Sequence, residues 1–160
     1  IGNFEPDLAI QFLDGVNKTI GPNGLLLIGF DLKKDTDTLL AAYDDKQGIT
    51  ASFNKNLLSR INNELDGNFN LDTFEHIARY NKDKGRIEMH LESKMEQTVS
   101  IHNELFTFLE GETIHTESCY KFTEESFAAM SSQAGLSPLK TWTDKQSLFA
   151  VMLLRTTTNL

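Results

Sequence analysis

Cysteine is almost absent from this 160-residue chain, which contains only Cys119. A single cysteine excludes an internal disulfide framework and fits a reducing cytoplasm, where we expect the protein to act. Long apolar runs are also missing, since the longest, residues 25–30, is far too short to cross a bilayer. No charged segment followed by an apolar stretch opens the chain, so a signal peptide is not predicted. The chain does not begin with Met, and we expect it to be cropped from a longer polypeptide.

Positive charge is scarce as well. The chain has 15 Lys and Arg against 23 Asp and Glu, which gives a formal net charge of −8. Binding of phosphate backbones needs clustered Lys and Arg, so the sequence argues against a nucleic-acid partner, and it gives no reason to expect a membrane partner. The hydrophobic fraction of 39% is that of an ordinary globular domain, and the chain is long enough to bury a core without disulfides or metals.

Residues 1–35 predict a helix, a turn and a buried strand. Behind Pro6, apolar residues recur at four-residue spacing and predict one helical stripe: Leu8, Phe12, Val16 and Ile20. Residues 21–24, Gly-Pro-Asn-Gly, break that helix. Residues 25–30 are apolar throughout, which is typical of a parallel strand covered on both faces. Polar residues follow at its carboxyl end, where open α/β sheets bind their ligands.

The patterns beyond residue 35 are mixed. A second apolar stripe predicts a helix over residues 53–65, and a capping-box pattern predicts a short helix over 72–80. Thr123 is predicted to cap a further helix that ends near Ala134. Alternating apolar and polar residues predict strands near 87–91, 98–101, 105–109, 113–122, 139–142 and 148–154. The expected fold class is α/β, with a sheet that mixes parallel and antiparallel strands.

Three His-x-Glu pairs form the most conspicuous polar pattern: His90/Glu92, His102/Glu104 and His115/Glu117. Residues two apart on a strand share a face, so each pair could present two ligands to a metal ion. No HExxH motif or cysteine cluster supports that interpretation, and the solvated face of a sheet is favoured instead. Cys119 also lacks the sequence surroundings of a nucleophile. The patterns alone therefore predict neither a metal site nor a catalytic residue.

Eight segments carry a more specific signal, because they occur in one order and at characteristic spacings. They are Ile1-Gly2-Asn3-Phe4, residues 26–35, Ala41-Ala42-Tyr43-Asp44-Asp45, residues 50–54, Arg86-Ile87-Glu88-Met89-His90-Leu91, residues 111–117, Lys121-Phe122 and Trp142-Thr143-Asp144. Together they resemble the histidine-specific, S-adenosylmethionine-dependent methyltransferase family, which includes the histidine Nα-methyltransferases of the ergothioneine pathway. The resemblance runs across essentially the whole chain.

The resemblance implies the closing half of a Rossmann-like methyltransferase core with an inserted α+β acceptor-binding domain. Residues 1–35 and about 136–160 would belong to the core, and residues from about 36 to 135 to the acceptor-binding domain. S-adenosylmethionine is the implied cofactor. The sequence contains no Gly-rich loop followed by an acidic residue on the next strand. We therefore expect the cofactor to be bound mainly by a segment N-terminal to these residues.

Residue roles also follow from the resemblance, all in the binding of a small-molecule amino acid. Asn3 and Tyr43 would hold its α-amino and carboxylate ends. Met89 would line the side-chain pocket, Phe53 matches a pocket aromatic, and Glu117 would accept a hydrogen bond from an imidazole N–H.

One position departs from the family pattern. Members usually carry a Ser two residues after the pocket Glu, and this chain has Cys119 there. A thiol is a weaker hydrogen-bonding group than a hydroxyl, so strict preference for histidine is not implied.

The sequence therefore predicts the C-terminal portion of an S-adenosylmethionine-dependent N-methyltransferase that acts on the α-amino group of an amino acid, with histidine as the first candidate. These residues alone are expected to be inactive. A related enzyme for another acceptor, such as an indole amino acid, stays open because of Cys119. A non-catalytic amino-acid-binding or regulatory module is the alternative from a different class, since Asn3, Tyr43 and Glu117 would suit it equally.

Overall fold

The computed structural model describes residues 1–157, in which helices and strands are interspersed. In chain order they are α1 (Pro6–Ile20), β1 (Leu25–Asp31), α2 (Thr36–Tyr43), α3 (Ile49–Glu64), a 3₁₀ turn (Leu71–Thr73), β2 (Phe74–Asn81), β3 (Arg86–Ser93), β4 (Gln97–Ile101), β5 (Glu104–Phe108), β6 (Thr113–Tyr120), α4 (Glu124–Gln133), β7 (Leu136–Thr143) and β8 (Phe149–Thr156). The predicted α/β class is confirmed.

Two compact units share these elements. The first contains residues 1–34, residues 82–86 and the chain from Ser118 onward, and the second contains residues 35–81 and 87–117. The boundary predicted near residue 136 therefore lies at residues 117–118, because α4 packs in the core of the first unit. The last three residues of the segment predicted as 136–160 lie outside the described residues.

The sheet of the first unit has the strand order β1-β8-β7. Both pairs are antiparallel, so the prediction of a parallel β1 covered on both faces is wrong. Leu25 and Leu27 are 57% and 62% exposed, whereas Phe30 is 2% exposed. The side chains of β1 alternate between a covered and an open face, and its uniform apolar composition concealed that alternation.

The core of the first unit combines both helices with this sheet. Phe30 of β1 stacks on Phe127 of α4 with ring centroids 3.9 Å apart. Leu13 of α1 and Leu136 of β7 are fully buried in the same cluster. Thr123 caps α4 through a reciprocal capping box with Ser126, as the sequence predicts for the start of this helix.

The second unit holds a sheet of order β2-β3-β6 and the hairpin of β4 and β5. Since β3 begins at Arg86 and β6 ends at Tyr120, those strand ends are counted with the first unit. The helix predicted over residues 72–80 is wrong, because only a 3₁₀ turn forms there before β2 begins at Phe74. Phe74 and His76 are both buried, and this period of two shows that sheet pairing prevails over the local capping pattern.

Helix α3 and the strands enclose the second unit's core, which contains Leu58, Phe74 and Leu91. The predicted strands β3, β4, β5 and β6 are all present, within a few residues of the expected bounds. Among the residues described, no helix is long and apolar enough to span a membrane.

Candidate functional site

A pocket of about 180 Å³ opens in the second unit. Helix α3 and strands β3 and β6 line it with Phe53, Asn54, Asn56, Leu57, Arg60, Met89, Thr116 and Glu117. Three of the residues predicted from the sequence, Phe53, Met89 and Glu117, therefore meet at one cavity. Its wall combines aromatic and thioether surface with a carboxylate, which suits a ligand that is apolar on one side and a hydrogen-bond donor on the other.

Strands β3 and β6 fix the strand side of this pocket. The Thr116 hydroxyl donates a hydrogen bond to the Met89 carbonyl at 3.0 Å. One residue on, the carbonyl oxygen of Glu117 lies 3.0 Å from His115 Nε2. Met89 is only 3% exposed and Glu117 is half-buried. The backbone therefore presents both residues from neighbouring strands rather than from a loop.

Helix α3 forms the opposite wall, and its first turn is held by Asp45. The Asp45 carboxylate accepts hydrogen bonds from the backbone N–H of Thr50 at 2.8 Å and of Ile49 at 3.1 Å. These hydrogen bonds lower the pKa of Asp45 to about 2, and those from Thr50 have the largest effect. Phe53 follows within one turn and is 65% exposed, so its ring stands at the open side of the pocket.

Tyr43 is the last residue of α2 and is half-buried. It is not one of the pocket-lining residues. Its carbonyl oxygen lies 2.8 Å from Nε2 of His76, and Nδ1 of the same ring lies 2.9 Å from Nδ2 of Asn54, which does line the pocket. Hydrogen bonds therefore connect the position of Tyr43 to the pocket wall.

Asn3 and Cys119 belong to the first unit, where their chain neighbours Gly2 and Tyr120 are hydrogen-bonded to each other. Asn3 is exposed, on a turn closed by a hydrogen bond from Phe4 N to Ile1 O. The preceding carbonyl, of Gly2, accepts a hydrogen bond from Tyr120 N at 2.8 Å. A Cβ atom on Gly2 would lie only 3.1 Å from Cys119 Sγ, so glycine permits this close approach.

A charged cluster anchors the same segment on its other side. Glu5, the N-cap residue of α1, accepts hydrogen bonds from Arg86 Nη1 and from the Tyr120 hydroxyl, both at 2.5 Å. Arg86 also donates to the Tyr120 oxygen at 2.7 Å and is 4% exposed. The hydrogen bonds from Tyr120 and Arg86 lower the pKa of Glu5. Asn3 thus lies between two attachment points, Gly2 and Glu5.

Cys119 has a cationic neighbour. The Lys121 ammonium, whose side chain is fully buried, donates to Cys119 Sγ at 3.2 Å and to Asp31 Oδ2 at 2.8 Å. Burial alone would raise the pKa of Asp31, but its bonds to Lys121 and Lys34 outweigh burial and lower it. Asp31 is the last residue of β1, and the sequence predicts ligand binding at this carboxyl end of the strand.

Several of these residues escaped the sequence-based prediction. Asn54 precedes the buried Leu58 by four positions, so a polar residue on the buried face of α3 was the available signal. His76 was hidden by the wrong assignment of residues 72–80 to a helix. Nothing in the sequence pattern points to the pairing of Arg86 with Tyr120, because it depends on tertiary contacts.

Among residues 1–157, no group of three or more His, Cys, Asp or Glu side chains is placed to hold a metal ion. The described glycines with positive φ also do not form the family's cofactor cradle, which joins a strand to a helix. Gly21 lies between a helix and a strand, and Gly48, the N-cap of α3, follows another helix. None of these described positive-φ glycines therefore joins a strand to a helix as such a cradle does.

Comparison with known proteins gives concordant matches. The family described as histidine-specific, SAM-dependent methyltransferase matches residues 1–156. The histidine N-alpha-methyltransferase of Mycolicibacterium smegmatis is 41% identical over 155 residues, which are 96% of this chain and 48% of that protein. Ergothioneine biosynthesis protein 1 of Schizosaccharomyces pombe is 31% identical over 126 residues, which are 78% of this chain and 16% of that protein. The L-tryptophan methyltransferase of Psilocybe serbica is 27% identical, covering 97% of this chain and 44% of that protein. The chain spans about half the length of the first of these relatives.

Proposed function

Because the chain belongs to the histidine-specific, S-adenosylmethionine-dependent methyltransferase family, we propose that it is the acceptor-binding portion of an enzyme that methylates the α-amino group of an amino acid, with histidine preferred. The cofactor is bound mainly by residues outside these 160. Two observations support that division: the described positive-φ glycines do not join a strand to a helix as a cofactor cradle does, and the histidine N-alpha-methyltransferase of Mycolicibacterium smegmatis is about twice as long as this chain.

The observation that carries the proposal is the meeting of Phe53, Met89 and Glu117 at one pocket. A ring enclosed by Phe53 and Met89 gains apolar contact, and a ring N–H can donate to the Glu117 carboxylate. A site built to receive such a hydrogen bond rejects apolar side chains, because they leave its polar group without a partner. Imidazole satisfies both requirements.

Asn3 and Tyr43 act on the backbone end of the amino acid. The Asn3 side-chain carbonyl accepts a hydrogen bond from the uncharged amine and orients its lone pair, and the Tyr43 hydroxyl donates to the carboxylate. S-adenosylmethionine, bound mainly outside these residues, would supply the methyl group, and Asn3 would present the uncharged amine nitrogen to it. Such a reaction depends mainly on alignment and exclusion of water, so no acid–base residue is assigned.

A second candidate acceptor is an indole amino acid. Cys119 replaces the hydroxyl expected beside the pocket Glu, and an indole N–H is a donor only. The tryptophan methyltransferase among the relatives supports keeping this candidate. A non-catalytic amino-acid-binding module remains the alternative from another class, and it predicts binding without turnover.

The test is methyl transfer by the full-length gene product that contains this chain, with labelled S-adenosylmethionine and each common amino acid in turn. We expect histidine to give the highest kcat/KM. Substituting Glu117→Ala is expected to raise the histidine KM by about 10- to 100-fold, as for loss of a hydrogen bond to a charged group.

Glu104→Gln serves as the matched control, since Glu104 is an exposed carboxylate on β5 of the same unit and does not line the pocket. Its kinetics should equal those of the unsubstituted protein. Binding of histidine by calorimetry without any methyl transfer would favour the binding module. Unchanged histidine affinity in the Glu117→Ala variant would remove the pocket assignment.

A further inference from the structure

A buried hydrogen-bonded chain in the second unit links the pocket to Tyr43. Asn54 and His76 are 3% and 8% exposed. Asn54 Nδ2 donates to the His90 carbonyl oxygen at 3.1 Å and lies 2.9 Å from His76 Nδ1. His76 Nε2 lies 2.8 Å from the Tyr43 carbonyl oxygen.

The two backbone carbonyl oxygens at the ends of this hydrogen-bonded network, those of His90 and Tyr43, determine where its protons lie. A backbone carbonyl can only accept, so the His90 oxygen requires the NH₂ group of Asn54 to face it. The same NH₂ group then supplies its second hydrogen to His76 Nδ1, which must carry no proton. The Tyr43 carbonyl at the far end needs a donor, so Nε2 carries the proton. The His76 ring therefore accepts a hydrogen bond at Nδ1 and donates one at Nε2.

A buried chain of hydrogen bonds restrains the elements it joins, because breaking one of its bonds leaves a buried polar atom without a partner. This one fixes the carboxyl end of α2, where Tyr43 lies, to α3, which forms one wall of the pocket. Local sequence does not hold Tyr43 in place by itself, since α2 has only eight residues.

We propose that His76 and Asn54 are positioning residues that set the place of Tyr43 relative to the pocket and so control acceptor binding. The inference rests on the proposed function, in which Tyr43 holds the carboxylate of the amino acid. His76 does not line the pocket and acts through the backbone of Tyr43, whereas Asn54 lines the pocket and also holds the His76 ring.

The test uses the full-length protein and the variants His76→Ala, Asn54→Asp and Tyr43→Phe, with KM measured separately for the acceptor and the cofactor. His76→Ala is expected to raise the acceptor KM about tenfold and to leave the cofactor KM unchanged. Asn54→Asp replaces the NH₂ donors with oxygen and should have a similar effect. His102→Asn, at an exposed position in the same unit, is the matched control and should match the unsubstituted protein.

A merely structural role is distinguished by combining His76→Ala with Tyr43→Phe. If His76 acts through Tyr43, the acceptor KM of the double variant equals that of Tyr43→Phe alone, whereas independent damage multiplies the two effects. Multiplied effects, or an acceptor KM that His76→Ala leaves unchanged in an active enzyme, would overturn the inference and leave the proposed function standing. An unsubstituted protein that methylates no amino acid would instead overturn the proposed function.

Discussion

Cys119 stands where the family pattern leads one to expect a serine, and its surroundings are well defined. Lys121 donates to its sulfur, and Gly2 allows the Asn3 segment to pass beside it. A sulfur that accepts from Lys121 keeps its own S–H available as a weak donor. In the proposed function, the identity of this one atom influences which acceptor side chain is preferred.

Substituting Cys119→Ser tests that role. The hydroxyl is a stronger hydrogen-bonding group and still accepts from Lys121, so we expect a several-fold rise in kcat/KM for histidine relative to tryptophan. The measurement is the ratio of the two kcat/KM values in the full-length protein. An unchanged ratio would show that position 119 does not set acceptor preference.

His90 is a second residue with a defined electrostatic environment. It is 8% exposed, and its ring stacks on that of His115 with centroids 4.7 Å apart. Its Nε2 lies 3.6 Å from the Glu88 carboxylate, beyond hydrogen-bonding distance. Burial, followed by the charges of His115 and Arg79, lowers the pKa of His90 below 6.5 despite the opposing effect of Glu88.

A pH dependence of stability follows from that shift. The folded state binds a proton at His90 less readily than the unfolded state, so the stability it contributes is complete above about pH 6.5 and is lost as the pH falls through its folded pKa. We expect the melting temperature to fall less on acidification from about pH 7 to pH 5 in a His90→Gln variant than in the unsubstituted protein. Equal falls would contradict the prediction, and His102→Gln, at an exposed histidine, provides the control.

At the scale of elements, the start of α3 depends on Asp45. Gly48 occupies the N-cap in the left-handed region and offers no side-chain acceptor, so the Asp45 carboxylate takes the first backbone N–H groups instead. The Tyr-Asp-Asp segment thus contains a helix-capping residue two positions after its proposed binding residue.

Asp45→Ala is expected to loosen the first turn of α3, to lower the melting temperature and to raise the acceptor KM severalfold, because Phe53 lies within the next turn. The folded pKa of Asp45 is about 2, so its stabilising contribution is present above about pH 4 and is lost as the pH falls through the folded pKa. Thermal denaturation and acceptor kinetics check both effects. The neighbouring exposed carboxylate gives the control variant Asp44→Ala, which should change neither.

A second element-scale effect concerns the segment that carries Asn3. Tyr120→Phe removes both the acceptor of Arg86 and the donor to Glu5, so we expect a loss of about 1 kcal/mol in the free energy of unfolding, measured by denaturant titration. Tyr80→Phe, at a half-buried tyrosine on β2, is the comparison variant and should cost less. Equal stabilities of the two variants would show that this cluster does not anchor the segment.

For the whole molecule, the division between acceptor and cofactor sites makes a direct prediction. We expect residues 1–160 alone to give no methyl transfer, while the full-length protein containing them turns over. Labelled-methyl assays on both proteins at equal concentration measure this. Full turnover by the 160 residues alone would show that they contain the cofactor site, contrary to the proposal.

The sequence predicted those elements whose local signals agree with their tertiary setting. The α4 helix has both a capping box and a buried apolar face, and β3 to β6 alternate clearly. The helix prediction for residues 72–80 was wrong because a capping pattern competed with an alternation of buried residues, and pairing in the sheet decided between them. The prediction that β1 is parallel to its neighbour was wrong because a uniformly apolar strand carries no information about the direction of the strand beside it.

By itself the sequence determined the α/β class, most strand positions and the family, since each depends on residues close together in the chain or on ordered segments. The family resemblance assigned Phe53, Met89 and Glu117 to a pocket, and the structure brings them to one cavity. Only the tertiary structure decided that Asn54 and His76 connect that cavity to Tyr43, and that Arg86 and Tyr120 secure the Asn3 turn. The physical reason is that these contacts join residues up to 115 positions apart. Hydrogen-bond partners at such separations are chosen by the packing of whole elements, which no local pattern encodes.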